Sequence, residues 1–124
     1  MQPDISSQNT NHIHRLFIDS PQGTEIVLID EISYIESNFG LTIIHLINDK
    51  RFTVYKSLES VSKQINDSRF IQISRNIILN KIFAYKISIH PISKNIYIEM
   101  SQPIGIELRC TRYNLKRLKD VLQY

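Results

Sequence analysis

Several residue types and patterns are scarce in this sequence, and each shortage excludes a class of protein. The 124 residues include one cysteine, three glycines and no tryptophan. A lone Cys110 cannot form an intramolecular disulfide, which excludes a disulfide-stabilised secreted domain. The longest apolar runs, such as Ile26–Ile29, are far shorter than the roughly 18 residues of a membrane span. The first ten residues are mostly polar and lack a secretory signal pattern, so we expect a cytoplasmic protein without membrane contact.

Patterns that carry catalysis or bind metals are also missing. The sequence has no Cys-x-x-Cys or His-Glu-x-x-His spacing, no G-x-S-x-G motif and no glycine-rich phosphate loop. A thiolate at Cys110, which neighbouring Arg109 and Arg112 would favour, is less expected than a buried apolar side chain. We therefore predict a protein that is not an enzyme, with no metal, cofactor or small-molecule substrate.

Charge is distributed unevenly along the chain. The formal net charge is +3, but residues 1–68 carry −4 and residues 69–124 carry +7. Clustered positive charge attracts phosphates, so the second half is a candidate surface for a polyanion. A solvated surface whose charge merely drifts along the chain would explain the composition equally well.

Hydrophobic alternation predicts short β-strands over most of the chain. The predicted strands are 15–19, 25–29, 31–36, 41–47, 51–55, 70–73, 81–90, 94–100 and 104–109. Turn-forming residues between the first two strands, and between 41–47 and 51–55, indicate hairpins. The segment 74–80 fits either a helical turn or a strand. The predicted fold class is therefore mainly β.

Two short helices interrupt this pattern. The first follows Ser57 as N-cap, and its apolar residues recur at helical spacing through Ile65. The second follows Thr111 as N-cap and carries leucines at the same spacing through Leu122. Residues 1–13 show no periodicity, so we predict a flexible leader at 1–13 followed by one domain at 14–124.

Four ordered segments resemble the LytTR family of bacterial DNA-binding domains, found in LytR/AgrA-type transcription regulators. They are Asp30–Glu36 (DEISYIE), Tyr55–Glu59 (YKSLE), Phe70–Asn80 (FIQISRNIILN) and Thr111–Lys119 (TRYNLKRLK). The family pattern is D-I-x-Y-I-E, a helix begun by S-L, F-x-x-x-H-R-S-x-x-V-N and S-R-x-x-x-x-x-L. The resemblance spans about residues 14 to 122. It implies an elongated stack of short antiparallel sheets with two short helices, and double-stranded DNA bound by loops that enter successive major grooves.

The resemblance also implies which residues contact DNA. The arginine of the family's H-R-S segment falls on Arg75 and that of its S-R pair on Arg112, so these two are expected to read bases. A third base contact is expected in the loop after the first motif, with Asn38 and Thr42 as the candidates. Phosphate contacts are expected from Ser74, Asn76, Asn114 and Lys116.

Three departures from the family pattern lie beside the two expected base-reading arginines. Ser74 replaces the usual histidine and Asn76 the usual serine, so the preferred base sequence is expected to differ. Thr111 replaces a serine but keeps a hydroxyl that can cap a helix. About a dozen residues precede the domain, where family members commonly carry a receiver or a membrane sensor. We therefore expect a stand-alone regulator without a receiver domain, with a fragment of a longer protein as the alternative.

The prediction from sequence is a transcription regulator that binds duplex DNA sequence-specifically, with a second copy on a repeated half-site as a further expectation. The alternative is a protein-interaction or antagonist domain on the same scaffold that no longer reads bases. A single-strand or RNA binder is disfavoured, because the aromatic side chains occupy core-like strand positions rather than a stacking platform. Those residues are Phe70, Phe83, Tyr85 and Tyr97.

Overall fold

The computed structural model describes residues 15–122, so the predicted leader at 1–13 lies outside them. In chain order the elements are β1 (Arg15–Ser20), β2 (Gly23–Leu28), β3 (Ile32–Asn38), β4 (Leu41–Leu46), β5 (Arg51–Val54), α1 (Leu58–Ile65), β6 (Phe70–Ser74), β7 (Ile77–Asn80), β8 (Ala84–Ile89), β9 (Ile96–Met100), β10 (Glu107–Cys110) and α2 (Arg112–Leu122). Short 3₁₀ turns precede β3 and β8. The prediction of a mainly β chain with two helices is confirmed.

The described strands form three antiparallel sheets. β1 and β2 form a two-stranded sheet, and β10, β9 and β8 form a three-stranded sheet in that order. The central sheet has five strands in the order β5-β4-β3-β7-β6. Both predicted hairpins are present. The ambiguous segment 74–80 forms a tight turn and strand β7, which pairs with both β3 and β6.

The central sheet separates two hydrophobic cores, because successive side chains of a strand point to opposite faces. Ile35 and Ile44 belong to the core that includes the β1–β2 hairpin and α1. Ile73 and Leu79 belong to the core that includes the three-stranded sheet and α2. All four side chains are fully buried. The sheets are therefore stacked, as the resemblance implied.

Hydroxyl side chains cap both helices at the predicted residues. The Ser57 Oγ accepts a hydrogen bond from the Ser60 amide at 3.1 Å. The Thr111 Oγ1 accepts one from the Asn114 amide at 3.3 Å. Each cap satisfies an amide that has no partner within its own helix. Neither helix, nor any other in residues 15–122, is long and apolar enough to cross a membrane.

The asparagine that ends the third motif has a structural role. Asn80 is fully buried, its Nδ2 donates to the Ile32 carbonyl at 3.0 Å, and its Oδ1 accepts from the Ile82 amide at 3.1 Å. One side chain thus joins the end of β7 to the start of β3 and begins the next 3₁₀ turn. Buried polar groups are stable when they are hydrogen-bonded, and Asn80 is bonded through both ends of its amide.

Two aromatic residues expected in the core lie outside it, and one of them is half-buried Tyr97, on the face of β9 opposite the buried Ile96 and Ile98. Tyr85 is 63% exposed, and it falls where the β8–β9 register shifts between Ala84 and Lys86. Such an irregularity re-aims a side chain relative to the strand's regular alternation. The Tyr85 hydroxyl donates instead to the Glu99 carboxylate at 3.2 Å. The expectation that Tyr85 is a core residue was therefore wrong, whereas Phe70 and Phe83 pack against the two cores.

Candidate nucleic-acid interface

Three segments that are distant in sequence meet at one end of the molecule. Antiparallel pairing of β3 with β7 places the β3–β4 turn beside the β6–β7 turn, and the Ser37 amide donates to the Asn76 carbonyl at 2.8 Å. The Thr111 amide donates to the Ile73 carbonyl at 2.9 Å, which brings the start of α2 to the same end. We define this loop end by residues 38–40, 74–76 and 111–112.

A groove of about 750 Å³ opens at the loop end between the central and three-stranded sheets. The β6–β7 turn forms one wall with Arg75, strands β9 and β10 form the other with Lys94 and Arg109 nearby, and Arg112 lies where α2 begins. None of the lining residues is acidic. Among residues 15–122, none of these four cations forms a salt bridge. The groove thus presents positive charge that no carboxylate of the described chain neutralises.

Arg75 lies in a two-residue turn whose backbone is held by its neighbours. Ser74 pairs with Ile77 across the turn, and the Ser74 Oγ accepts from the Asn76 amide at 3.3 Å. The Gln72 Nε2 donates to the Ser74 carbonyl at 3.0 Å. Arg75 and Asn76 are exposed, and Ser74 is half-buried. The turn therefore presents an exposed guanidinium from a fixed backbone.

Arg112 is the first residue of α2, and it is exposed. The residue before it, Thr111, is tied to the helix by two bonds, since the Asn114 Nδ2 donates to the Thr111 Oγ1 at 2.8 Å in addition to the capping bond. Asn114 is half-buried. Lys116 is exposed one turn later, and residues four apart share a helix face. Arg112 and Lys116 therefore present their charges on one side of α2.

The structure separates the two candidates for the third base contact. Asn38 is exposed at the end of β3, beside Phe39, which is 99% exposed. Thr42 is fully buried, and its Oγ1 donates to the Lys56 carbonyl at 2.8 Å. The prediction of a base contact from Thr42 is wrong, because its side chain faces the interior and its hydroxyl proton is already bonded to the protein.

Two cations of the groove were missed by the sequence-based prediction. Lys94 lies in the turn between β8 and β9, which belongs to none of the four motifs. Arg109 lies in β10, two residues before the fourth motif, and pairs across the sheet with Tyr97. The polar cluster Ser93–Asn95 signals a turn. That this turn lies beside Arg112 follows only from the pairing of β9 with β10.

Cys110 lies in the lining of the groove as an apolar residue rather than a nucleophile. The residue is buried, and burial raises the pKa of its thiol to about 11. This direction is opposite to the one that neighbouring arginines would produce, so the thiol is protonated at neutral pH. Within residues 15–122, no group of three His, Cys, Asp or Glu side chains is placed to hold a metal ion.

Comparison with known proteins gives one family and one fold. The model of the family described as the LytTr DNA-binding domain matches residues 22–123. A solved LytTr DNA-binding domain, from a protein described as a methyl-accepting/DNA response regulator of Bacillus cereus, has a TM-score of 0.70 and 15% identity. That similarity covers 89% of this chain and 97% of the other. No curated protein sequence matches this chain.

Proposed function

Because the chain belongs to the LytTR DNA-binding domain family, we propose that it is a transcription regulator that reads duplex DNA through the arginines of the loop end. The observation that carries this proposal is the groove, where Arg75 and Arg112 are exposed and unpaired with carboxylates of the described chain. A guanidinium can donate two parallel hydrogen bonds to O6 and N7 of guanine, provided that those donors are not already committed.

The backbone elements that carry the two arginines suit entry into DNA from one side. A two-residue turn carries Arg75 and a helix start carries Arg112, and both belong to the loop end. A major groove about 12 Å wide admits elements of this size. Exposed Asn38 on the neighbouring turn is the proposed third base contact, since an asparagine side chain can bond adenine through N6 and N7.

Polar groups around the two arginines are proposed to hold backbone phosphates. Asn76 and Lys116 are exposed and can reach a strand directly. Ser74 accepts a bond from the turn but keeps its own hydroxyl proton, and Asn114 keeps the second proton of its amide nitrogen. Such contacts fix the position of the protein on the duplex without reading its sequence.

Selection of bound duplexes from a random DNA pool tests this function. The selected duplex and a scrambled control would then be titrated across salt concentrations with the full chain. We expect an enriched motif bound at least roughly a thousandfold more tightly than the scramble. A motif repeated at about 10 base pairs would show that two copies bind one face of the DNA.

Two other outcomes of this experiment would contradict base reading by the arginines. Weak binding that depends steeply on salt and enriches no motif would reduce the positive groove to nonspecific electrostatics and would contradict base reading. A second protein that co-purifies in stoichiometric amount, together with no duplex binding, would instead favour the antagonist domain.

A further inference from the structure

We propose that the three-stranded sheet is itself a phosphate-binding wall of the groove, in which Lys94 and Arg109 hold backbone phosphates of the DNA strand whose bases meet Arg112. This inference rests on the proposed function and extends it to two residues outside all four motifs. It assigns a direct role in DNA binding to a sheet that would otherwise only support α2.

Arg109 is held in the groove wall by one side-chain hydrogen-bond partner among residues 15–122. Its Nη2 donates to the Asn95 Oδ1 at 2.9 Å, and the residue is exposed. A guanidinium has five N–H donors, so four remain for a ligand. Because Asn95 carries no charge, this contact orients the guanidinium without neutralising it. Arg109 is therefore positioned and still fully charged.

Lys94 projects from a turn with a well-defined backbone. The Lys94 amide donates to the His90 carbonyl at 2.9 Å, and the His90 amide donates to the Asn95 carbonyl at 2.9 Å. Lys94 has a φ of 65°, in the left-handed region where glycine or asparagine would fit at lower cost. A lysine in this conformation is consistent with a use for its side chain, which is exposed.

The arrangement of the walls favours phosphates over bases as the ligands of these two residues. Arg75 and Arg112 line the same groove as Lys94 and Arg109, so a DNA strand whose bases meet Arg112 would pass close to the other two cations. A DNA strand presents one phosphate about every 3.4 Å along the helix axis. A lysine ammonium is a point charge without the planar fork of arginine, which suits a phosphate better than a base edge.

A double substitution of Lys94→Gln and Arg109→Gln tests the wall. Each phosphate contact contributes about 0.9 to the slope of log affinity against log salt concentration, so the slope should become shallower by about 1.8. Affinity at low salt should fall by the same factor on the selected and scrambled duplexes, and the selected motif should not change. Thermal unfolding of the variant checks that it is folded.

The β4–β5 turn supplies a matched control. Lys50 and Arg51 are exposed and form no salt bridge within residues 15–122. Antiparallel pairing of β4 with β3 and β5 places this turn at the end of the central sheet opposite the loop end. Lys50→Gln with Arg51→Gln removes the same charge and should leave the slope nearly unchanged. An equal change in both double variants would overturn the proposal.

Neutral methylphosphonates, placed one at a time along the selected duplex, locate the contacts. The wild-type chain should lose affinity at phosphates flanking the base that Arg112 reads, and the Lys94/Arg109 variant should be insensitive at those same phosphates. Undiminished sensitivity in the variant would overturn the proposal. Should the loss of the Asn95 contact unfold Arg109→Gln, Lys94→Gln alone should still reduce the slope by about 0.9, since no protein group bonds its side chain within residues 15–122.

The same measurements distinguish the two proposals. If the wild-type chain selects no motif and binds no duplex tightly, the proposed function and the phosphate wall both fail. If the wild type selects a motif but the Lys94/Arg109 variant keeps the wild-type slope, only the phosphate wall fails.

Discussion

Replacement of Arg112 by alanine should weaken binding to the selected duplex and relax base preference at one position. The Arg112 side chain is exposed and forms no hydrogen bond or salt bridge within residues 15–122, so its truncation removes neither from the free protein. Alanine is a favourable helix residue, and the Thr111 cap remains. The measured loss should therefore be a loss of binding rather than of folding.

The size of the expected loss follows from the proposed contact. A bidentate arginine–guanine pair discriminates against the wrong base by about 1–3 kcal/mol. This corresponds to about 5- to 150-fold in affinity at 25 °C. The scrambled duplex should lose much less, because there Arg112 contributes only its charge.

Fluorescence anisotropy competition provides the assay, with the selected duplex and duplexes that change one base pair at a time. In the Arg112→Ala variant, changing one particular base pair should no longer affect the affinity. In the Arg75→Ala variant, a different base pair should lose its effect. Arg117→Ala is the matched control, since Arg117 is an exposed arginine of the same helix without a partner in residues 15–122. Lys116→Ala should weaken all duplexes alike.

Two results would refute this reasoning. Equal losses for Arg112→Ala on the selected and scrambled duplexes would show that the side chain contributes charge only. A loss of specificity in Arg117→Ala as large as in Arg112→Ala would show that the position at the start of α2 is not what matters.

Three further predictions concern residues that the structure places in the interior. Asn80→Leu should lower the free energy of unfolding by about 1–3 kcal/mol in urea denaturation, because the Ile32 carbonyl loses its buried donor and the partly buried Ile82 amide loses its acceptor. A near-neutral effect would contradict that role. Thr42→Val should lower the free energy of unfolding by about 1–3 kcal/mol, because the Lys56 carbonyl loses its hydrogen-bond donor. The selected DNA motif should stay the same, and a changed motif would indicate that Thr42 reads a base. Burial raises the pKa of the Cys110 thiol in the folded protein from 9.0 to about 11. The contribution of the protonated thiol to the free energy of unfolding is therefore complete below pH 9, and up to about 3 kcal/mol of it is lost as the pH rises to 11. Cys110→Ala should remove this alkaline decline, and identical alkaline profiles of unfolding would argue against it.

Local patterns of the sequence were sufficient to predict most of the elements. Alternating hydrophobic residues predicted the strands, and hydroxyl residues before helical spacing predicted the caps at Ser57 and Thr111. These features depend on interactions between residues close in sequence, which are the ones that a pattern records. The segment 74–80 stayed ambiguous because an isolated short apolar run is compatible with both periods until a partner strand is known.

The candidate site was predictable only where the family resemblance named a position. Arg75 and Arg112 were predicted as base contacts from their positions in the family motifs, and both line one groove in the structure. Whether they read bases stays a prediction. Thr42 and Asn38 are four residues apart in the same predicted loop region, and the sequence alone could not distinguish the buried one from the exposed one. The difference depends on the Lys56 carbonyl, which lies fourteen residues from Thr42.

By itself, the sequence determined a mainly β chain, two capped helices, a buried Cys110 and a basic second half. Tertiary structure alone decided which of those basic residues share a surface. Lys94 and Arg109 join Arg112 because β9 pairs with β10, and Arg75 joins them because the Thr111 amide bonds the Ile73 carbonyl at 2.9 Å. The physical reason is that periodicity records which residues alternate along a strand, whereas strand pairing and sheet stacking depend on contacts between residues far apart in the chain.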